Sequence, residues 1–187
     1  YVPSFVPVFS GIQKLKAGHT LRVSVAKGTR VRVGEEKQYW SLAYEPKINL
    51  TRNAAEKELR TRMREAVNYT LVADVPVGVF LSGGIDSSII AYHAAETAGK
   101  LRTFTIGSHD SDHDESPYAE LVAKELGTDH TTTYVEPREF LSELRSMYAY
   151  YDTPFLSTSS VALSLLAANA RKKVKVCLGG EGGDVLD

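Results

Sequence analysis

The sequence predicts a three-layer α/β/α domain built on a parallel sheet and preceded by a short β-hairpin. Three observations predict it. From Val75 onward, short apolar runs alternate with helical stretches at a spacing that suits strand–helix–strand crossovers. The first of these runs, VGVFL at 77–81, is continuously apolar, as a strand covered on both faces requires. Ahead of Val75 stand two segments with polar–apolar alternation, LRVSV (21–25) and RVRV (30–33), the pattern of a half-covered strand pair.

Between those two segments Ala26-Lys27-Gly28-Thr29 reads as a turn, and Gly18 and Gly34 punctuate the outer ends. A lone hairpin is marginal in water, so this one needs a partner. Asn49-Leu50-Thr51 opens the longest helical stretch, which runs to Val72. Leu59, Met63, Ala66, Val67 and Leu71 recur at three- and four-residue steps, one apolar stripe on a charged helix. Its Arg and Glu residues read as a solvated face. After the 77–81 strand the expected order is helix 87–99, strand 101–107, helix 116–127 and strand 130–137, then helices near 138–149 and 159–171 and a strand at 174–179. In such sheets ligands bind beyond the carboxyl ends of the strands.

Composition narrows the function classes. Lys and Arg number 22 against 23 Asp and Glu, a net charge of −1 in 187 residues. Affinity for nucleic acid or a membrane surface needs an excess of cations, so neither is expected as a partner. The single cysteine, Cys177, excludes an internal disulfide and a cysteine-rich zinc site, and inside a strand it reads as a small core residue. No apolar stretch reaches membrane-spanning length and no signal-peptide pattern opens the chain, which makes a cytoplasmic location the expectation. The chain starts at Tyr1 rather than Met and stops at Asp187, just after a glycine cluster, so a fragment of a longer polypeptide is expected.

The strongest chemical signal is Leu81-Ser82-Gly83-Gly84-Ile85-Asp86-Ser87-Ser88, which joins the first buried strand to its helix. Gly83 and Gly84 permit a sharp turn and close approach of backbone to a ligand. The free amides and positive dipole end of the helix favour an anion. Ser82, Ser87 and Ser88 add hydroxyl donors, and Asp86 can hold a cation that neutralises phosphate. The loop lacks the Lys of a GxxxxGK[ST] nucleotide loop and the spacing of a GxGxxG dinucleotide loop. The plainer reading is an ordinary Gly-Ser turn with a serine N-cap; the full SGGIDSS string directly after a buried strand weighs against it.

At these residues the sequence resembles the pyrophosphate (PP) loop of the ATP pyrophosphatases, with an adenine nucleotide alpha hydrolase-like, Rossmann-like fold. Further segments resemble the C-terminal synthetase domain of the glutamine-hydrolysing asparagine synthetase family. YVPSFVPVFSGIQKLKAGHTL (1–21) is similar to that family's connector, FTIG…DESPYAELVAKELGTDH (104–130) to its second strand and following helix, and LGGEGGD (178–184) to its S-G-E-G-G-D signature. The resemblance implies a connector with hairpin at 1–48, from the end of a glutaminase domain, and the N-terminal part of the synthetase domain at 49–187.

It also implies roles, residue by residue. Ser82 to Ser88 would cradle the β and γ phosphates of ATP. Backbone groups of Leu81 and Ile106 would contact adenine, and Gly179 and Gly180 would let the chain pass close to the AMP portion. Glu181 would handle protons or the acceptor during amide formation. Asp86 and Asp184 would share Mg2+ with pyrophosphate. The reaction implied is adenylation of aspartate, then attack by glutamine-derived ammonia to give asparagine, AMP and pyrophosphate, with a homodimer as the expected full-length assembly.

The departures from the family's pattern are specific. Gly179 stands where the family has serine, Val185-Leu186-Asp187 replaces its Glu-Leu-Phe, and Tyr1 stands where a glutaminase would need its N-terminal cysteine. Asp152-Thr153-Pro154-Phe155 resembles the family's D-E-P-F stretch near the acceptor, with Thr153 in place of Glu. Two alternatives therefore stay open: a relative adenylating another carboxylate, in β-lactam, lasso-peptide or sugar amide synthesis, or a catalytically silent nucleotide-binding domain. Three other features have plain readings: the His109–Glu115 run as a solvated acidic loop, His93 as a packed or exposed helix residue, and Tyr148, Tyr150 and Tyr151 as buried rings.

Overall fold

Alternation of valine with polar residues draws the first strands together. In the computed structural model, which describes residues 6–26, 30–110, 112, 114–151 and 157–182, β1 (His19–Val25) pairs antiparallel with β2 (Val31–Gln38). Val23 stands opposite Val33 and Val25 opposite Val31, and a bulge lies between Leu21 and Val23. Their apolar side chains stay open, Val25 at 72% and Val33 at 62% exposed. Gly34 does not end the second strand as expected; β2 runs through it to Gln38. A Cβ there would come 3.0 Å from the Arg22 carbonyl, so the glycine keeps the two backbones close beside the bulge. The turn expected at 26–29 falls largely outside the described residues. The hairpin belongs to one of two compact units, Tyr1–Asn49 with Tyr151–Leu156; the other is Leu50–Tyr150 with Ser157–Asp187.

In the second unit α1 (Arg52–Thr70) is capped by Thr51, whose hydroxyl accepts from the Ala54 amide at 3.4 Å. Exposed Arg52–Glu56 and Arg62–Glu58 pairs confirm its solvated face. The apolar stripe is shorter than the periodicity predicts. Val67 is buried, but Leu59 is 63% exposed and Ala66 is exposed as well. The helix reaches the core only through its last turns, where Val67 and Leu71 pack and Thr97 Oγ1 donates to Asn68 Oδ1 at 2.7 Å.

The rest is the expected α/β/α sandwich. Strands β3 (Val77–Phe80), β4 (Arg102–Gly107), β5 (Asp129–Tyr134) and β6 (Val176–Leu178) form a parallel sheet in the order β5-β4-β3-β6. On one face α2 (Ile85–Thr97), α3 (Ser116–Leu126) and the end of α1 close a core of Val79, Leu81, Ala91, Ala94, Leu101, Ala119 and Ala123. On the other, α5 (Thr158–Ala170) brings Leu166 and Ala170 against Phe104 and Val174, and α4 (Pro137–Met147) packs on α5. Helix α2 starts two residues before the expected Ser87, with Gly84 rather than a serine as N-cap. Strand β5 ends at Tyr134, short of the expected 137, because Pro137 and the Glu136–Glu139 capping box open α4. Among the described residues no helix is long and apolar enough to cross a membrane.

One polar cluster inside this unit makes its stability pH-dependent. The His130 ring bonds Thr103 Oγ1 through Nδ1 at 2.8 Å, while its Nε2 is buried without a partner among the described residues. Burial holds the His130 pKa below its ordinary value, opposed by the Glu120 carboxylate. A depressed folded pKa means that the unfolded chain takes up the proton first. The contribution is therefore complete above about pH 6.5, the unfolded value, and is lost as the pH falls from there through the folded value. Thermal unfolding at pH 7.5 and 5.5 should show a smaller drop in Tm for His130→Gln than for the parent, by on the order of 2 °C; equal drops would remove this cluster from the account.

Candidate functional site

The carboxyl ends of β3, β4 and β6 converge on a cleft of about 410 Å³. Its base is the turn from β3 into α2. Leu81, 1% exposed, continues the strand by donating its amide to the Phe104 carbonyl at 2.8 Å. Gly83 then turns at a φ of +81°, and a Cβ on it would lie 2.6 Å from the Ala119 amide nitrogen and the Tyr118 carbonyl carbon. Only glycine lets the loop sit this close to the first turn of α3. Gly84 caps α2, leaving the first amides of that helix at the cleft.

Hydroxyls knit the loop. Ser82 Oγ and Ser87 Oγ are 2.9 Å apart, and the Ser87 hydroxyl donates to the Gly84 carbonyl at 3.2 Å. The Ser82 amide donates to Ser87 Oγ at 3.2 Å, and the Gly84 amide to Ser82 Oγ at 3.3 Å. Ser82 is exposed whereas Ser87 is 7% exposed.

The segment after β6 closes over the same turn. A Cβ on Gly180 would stand 2.7 Å from the Ser87 amide nitrogen and 3.0 Å from the Asp86 carbonyl carbon, whereas one on Gly179 would meet nothing within 4 Å. Gly180 is the glycine that lies close to α2, and among the described residues Gly179 has open space beside it.

Of the residues expected at the site, Leu81, Ser82, Gly84, Asp86, Ser87, Ile106, Gly179, Gly180 and Glu181 line this cleft. Gly83 instead faces α3, and Ser88 lies off the lining with a buried hydroxyl that has no partner among the described residues. Because the Leu81 amide is spent in the sheet, a contact from Leu81 to a base has to come through its carbonyl or side chain. Asp184 and the Asp152–Phe155 stretch lie outside the described residues.

Sequence reasoning missed Phe80, Thr105, Glu115, Leu163 and Leu166, which also line the cleft. Glu115 closes the His109–Glu115 run, whose plain reading is a solvated acidic loop, and it lines the cleft instead. Leu163 and Leu166, three apart on α5, line the cleft because that helix flanks the strand ends. Thr105 is 3% exposed.

The electrostatics are one-sided. Asp86, Glu115 and Glu181 line the cleft, and among the described lining residues there is no Lys, Arg or His. Positive potential therefore comes from the amide end of α2. Carboxylate oxygens such as those of Asp86 suit a hard cation, and Mg2+ needs only one or two of them when phosphates complete its shell. Among the described residues no group of three or more His, Cys, Asp or Glu is placed to hold a metal unaided.

The residues with plain readings resolve as follows. In the acidic loop, Asp114 accepts from the Ser108 amide, the Ser116 amide and the Ser116 hydroxyl at 3.0–3.1 Å. Those bonds hold its carboxyl below the ordinary value. His93 is 4% exposed and bonds Glu96 at 3.0 Å. Cys177 is half-buried, and desolvation pushes its thiol up to about 11, which leaves it protonated and a poor nucleophile at neutral pH. Burial does not account for the tyrosines: Tyr148, Tyr150 and Tyr151 are 71%, 77% and 45% exposed, because they follow the end of α4 on the surface.

The two glycines give a paired test. Gly180→Ala forces a methyl against backbone and should cost about 1–3 kcal/mol, read as a lower Tm. Gly179→Ser, which supplies the hydroxyl of the family's pattern, should leave Tm unchanged within about 1 °C. The reverse ranking in thermal unfolding would mean that the 179–182 segment sits elsewhere.

Comparison with known proteins places the chain among relatives. The asparagine synthase family model matches residues 58–186. Glutamine-hydrolysing asparagine synthetase 1 of Bacillus subtilis (strain 168) is 35% identical over 150 residues, covering 80% of this chain and 24% of that protein. Amidase chyE of Penicillium rubens is 29% identical over 195 residues, covering 94% of this chain and 28% of that protein. Among solved structures, the NH3-dependent NAD synthetase from Campylobacter jejuni has a TM-score of 0.48 at 16% identity, over 70% of this chain and 58% of that one. The chain thus spans about a quarter of the length of these curated relatives. With most of its length, the loop and the cleft included, inside the matched segment, the chain belongs to the asparagine synthase family.

Proposed function

We propose that the cleft binds ATP and that the protein is an amide-forming ligase which adenylates aspartate and transfers ammonia to it. The observation that carries this reading is the meeting of the SGGIDSS turn and the Gly180–Glu181 segment across one cleft at the strand ends. Family membership supports it, and so do the glutamine-hydrolysing asparagine synthetases among the relatives.

On this reading the phosphates lie at the start of α2, where backbone amides and the Ser82 hydroxyl donate to them. The base lies against Ile106 and the apolar wall of Leu163 and Leu166. A carboxylate oxygen of aspartate attacks the α-phosphorus, the bond to the bridging oxygen breaks, and pyrophosphate leaves. Ammonia, supplied by a glutaminase, then attacks the acyl carbon and AMP departs. Glu181 accepts the proton that the attacking nitrogen sheds. Asp86, with Asp184, would hold Mg2+, which when bound neutralises the phosphate charge that a cleft lined by carboxylates does not.

The test is exchange of labelled pyrophosphate into ATP, with and without aspartate, by the whole protein and by this chain. Aspartate-dependent exchange by the whole protein is the expected outcome. Exchange that responds to a different acid would keep the adenylation and change the acceptor, in line with a relative named as an amidase. Magnesium–ATP binding with no exchange under any acid would leave a silent nucleotide-binding domain.

A further inference from the structure

We propose that Glu115 is a specificity-determining residue of the cleft, whose carboxylate accepts from the nucleoside part of ATP, and that Asp114 is the positioning residue that holds it there. The inference deepens the nucleotide reading above and rests on it.

Glu115 sits between two pinned neighbours. Asp114 Oδ1 accepts from the Ser108 and Ser116 amides, both at 3.1 Å, and Oδ2 accepts from the Ser116 hydroxyl at 3.0 Å. Ser108 directly follows β4 and Ser116 opens α3, so one carboxylate ties the end of a strand to the start of a helix. An ionised carboxylate only accepts, so the Ser116 proton points to Asp114. The Tyr134 hydroxyl, 3.1 Å from Ser116 Oγ, then donates to that oxygen and ties in the last residue of β5. Its ring lies against Gly107, where a Cβ would stand 2.5 Å from Tyr134 Cε1. Ser116, at the centre of these bonds, is 0% exposed. On the other side the Glu115 carbonyl accepts from the Tyr118 and Ala119 amides at 3.1 and 3.3 Å, which fixes it to the first turn of α3.

The side chain carried by this pinned backbone is exposed and lines the cleft. Ser108, to which Asp114 ties it, stands two residues beyond Ile106, which faces the base in the nucleotide reading. Phosphate oxygens are acceptors and negative, so Glu115 gains nothing from them. The nucleoside is different, because its ribose hydroxyls and the amino group of its base are donors. In that reading Asp86 meets the cation and Glu181 the departing proton. Glu115 is the remaining lining carboxylate, and the nucleoside is the part of ATP whose chemistry matches it.

Two measurements test the pair. The first needs no ligand: amide hydrogen exchange at Ser108 and Ser116, followed by NMR on this chain. Both should speed up about tenfold in Asp114→Ala while Val79 in β3 stays as in the parent. Asp114→Asn keeps an oxygen for the two amides, so their exchange should stay within about threefold of the parent. The second is calorimetry of magnesium–ATP and magnesium–pyrophosphate with the whole protein, read as the ratio of the two affinities. Loss of a negative charge is felt by both ligands, so the ratio isolates the nucleoside. Glu115→Ala and Asp114→Ala should each lower it about tenfold, Asp114→Asn should restore it, and the double variant should fall no further than the lower single one within about twofold. Equal losses for ATP and pyrophosphate would make the effect merely structural and overturn the proposal. So would additive losses in the double variant, or unchanged exchange at Ser116 in Asp114→Ala. If Asp114→Ala does not fold, Asp114→Ser takes its place in both arms. A parent that binds both ligands, with variants that keep its ratio, sinks the proposal alone; a parent that binds neither sinks the nucleotide reading and the proposal with it.

Discussion

The first turn of α2 is approached by backbone from two directions, and the cleft exists because both approaches succeed. The loop that enters the helix backs onto α3 at Gly83, where a methyl would collide with the Tyr118 and Ala119 backbone. The segment leaving β6 crosses the same helix end at Gly180, where a methyl would collide with the backbone of Asp86 and Ser87. Main chain yields far less readily than a flexible side chain, so neither contact has an inexpensive substitute. Together they fix where Asp86, Ser87 and Glu181 stand. The parallel sheet supplies the frame, since β3 pairs with both β4 and β6 and brings their carboxyl ends to one edge.

Charge explains why such a cleft needs more than shape. Asp86, Glu115 and Glu181 would repel a polyphosphate, and no cationic side chain among the described lining residues opposes them. The amide end of α2 is worth roughly half an elementary charge, too little to balance three carboxylates. A divalent cation held by Asp86 would turn one of those carboxylates from a cost into a ligand. Under the proposed reaction, affinity for nucleotide and affinity for the metal are thus one property of the site. In the same proposal Glu181 would serve the later step, in which a proton has to leave the attacking nitrogen.

Much of this was legible in the sequence because it rests on local chemistry. The VGVFL run, the alternating strands and the capped helices follow from residue periodicity, and α1, α3 and α4 begin close to their predicted starts. The SGGIDSS string could be assigned to a strand-to-helix turn before any coordinates, since glycine and serine after a buried strand have few other uses. What sequence could not give was long-range. Nothing local in α1 tells Leu59 from Val67; the difference is that α2 reaches only the end of the helix. Nothing in SLL or DES says that Leu163 or Glu115 will stand beside Ser82. Gly179 and Gly180 are adjacent and identical as letters, and only the position of α2 makes one essential and the other open space.

Under the proposed reaction, adenylation and acceptor choice are separable on this scaffold. The chain aligns over most of its length both with a protein named as an asparagine synthetase and with one named as an amidase. What a shared segment contributes to differently named proteins is a step they can have in common, and under the proposed reaction that step would be activation of a carboxylate at the expense of ATP. Discrimination between acids requires groups that meet the rest of the acceptor. Aspartate carries a second carboxylate and an ammonium, and the described lining offers it carboxylates and apolar side chains but no cation. A charge partner for that second carboxylate therefore has to come from beyond the described lining. The Thr153 stretch, which departs from the family's acidic residue, is one place where a change of acceptor would be written. A binding loop that serves many acceptors can stay fixed in sequence while such neighbours change, and the self-satisfied hydroxyls of Ser82 and Ser87 make this loop independent of them.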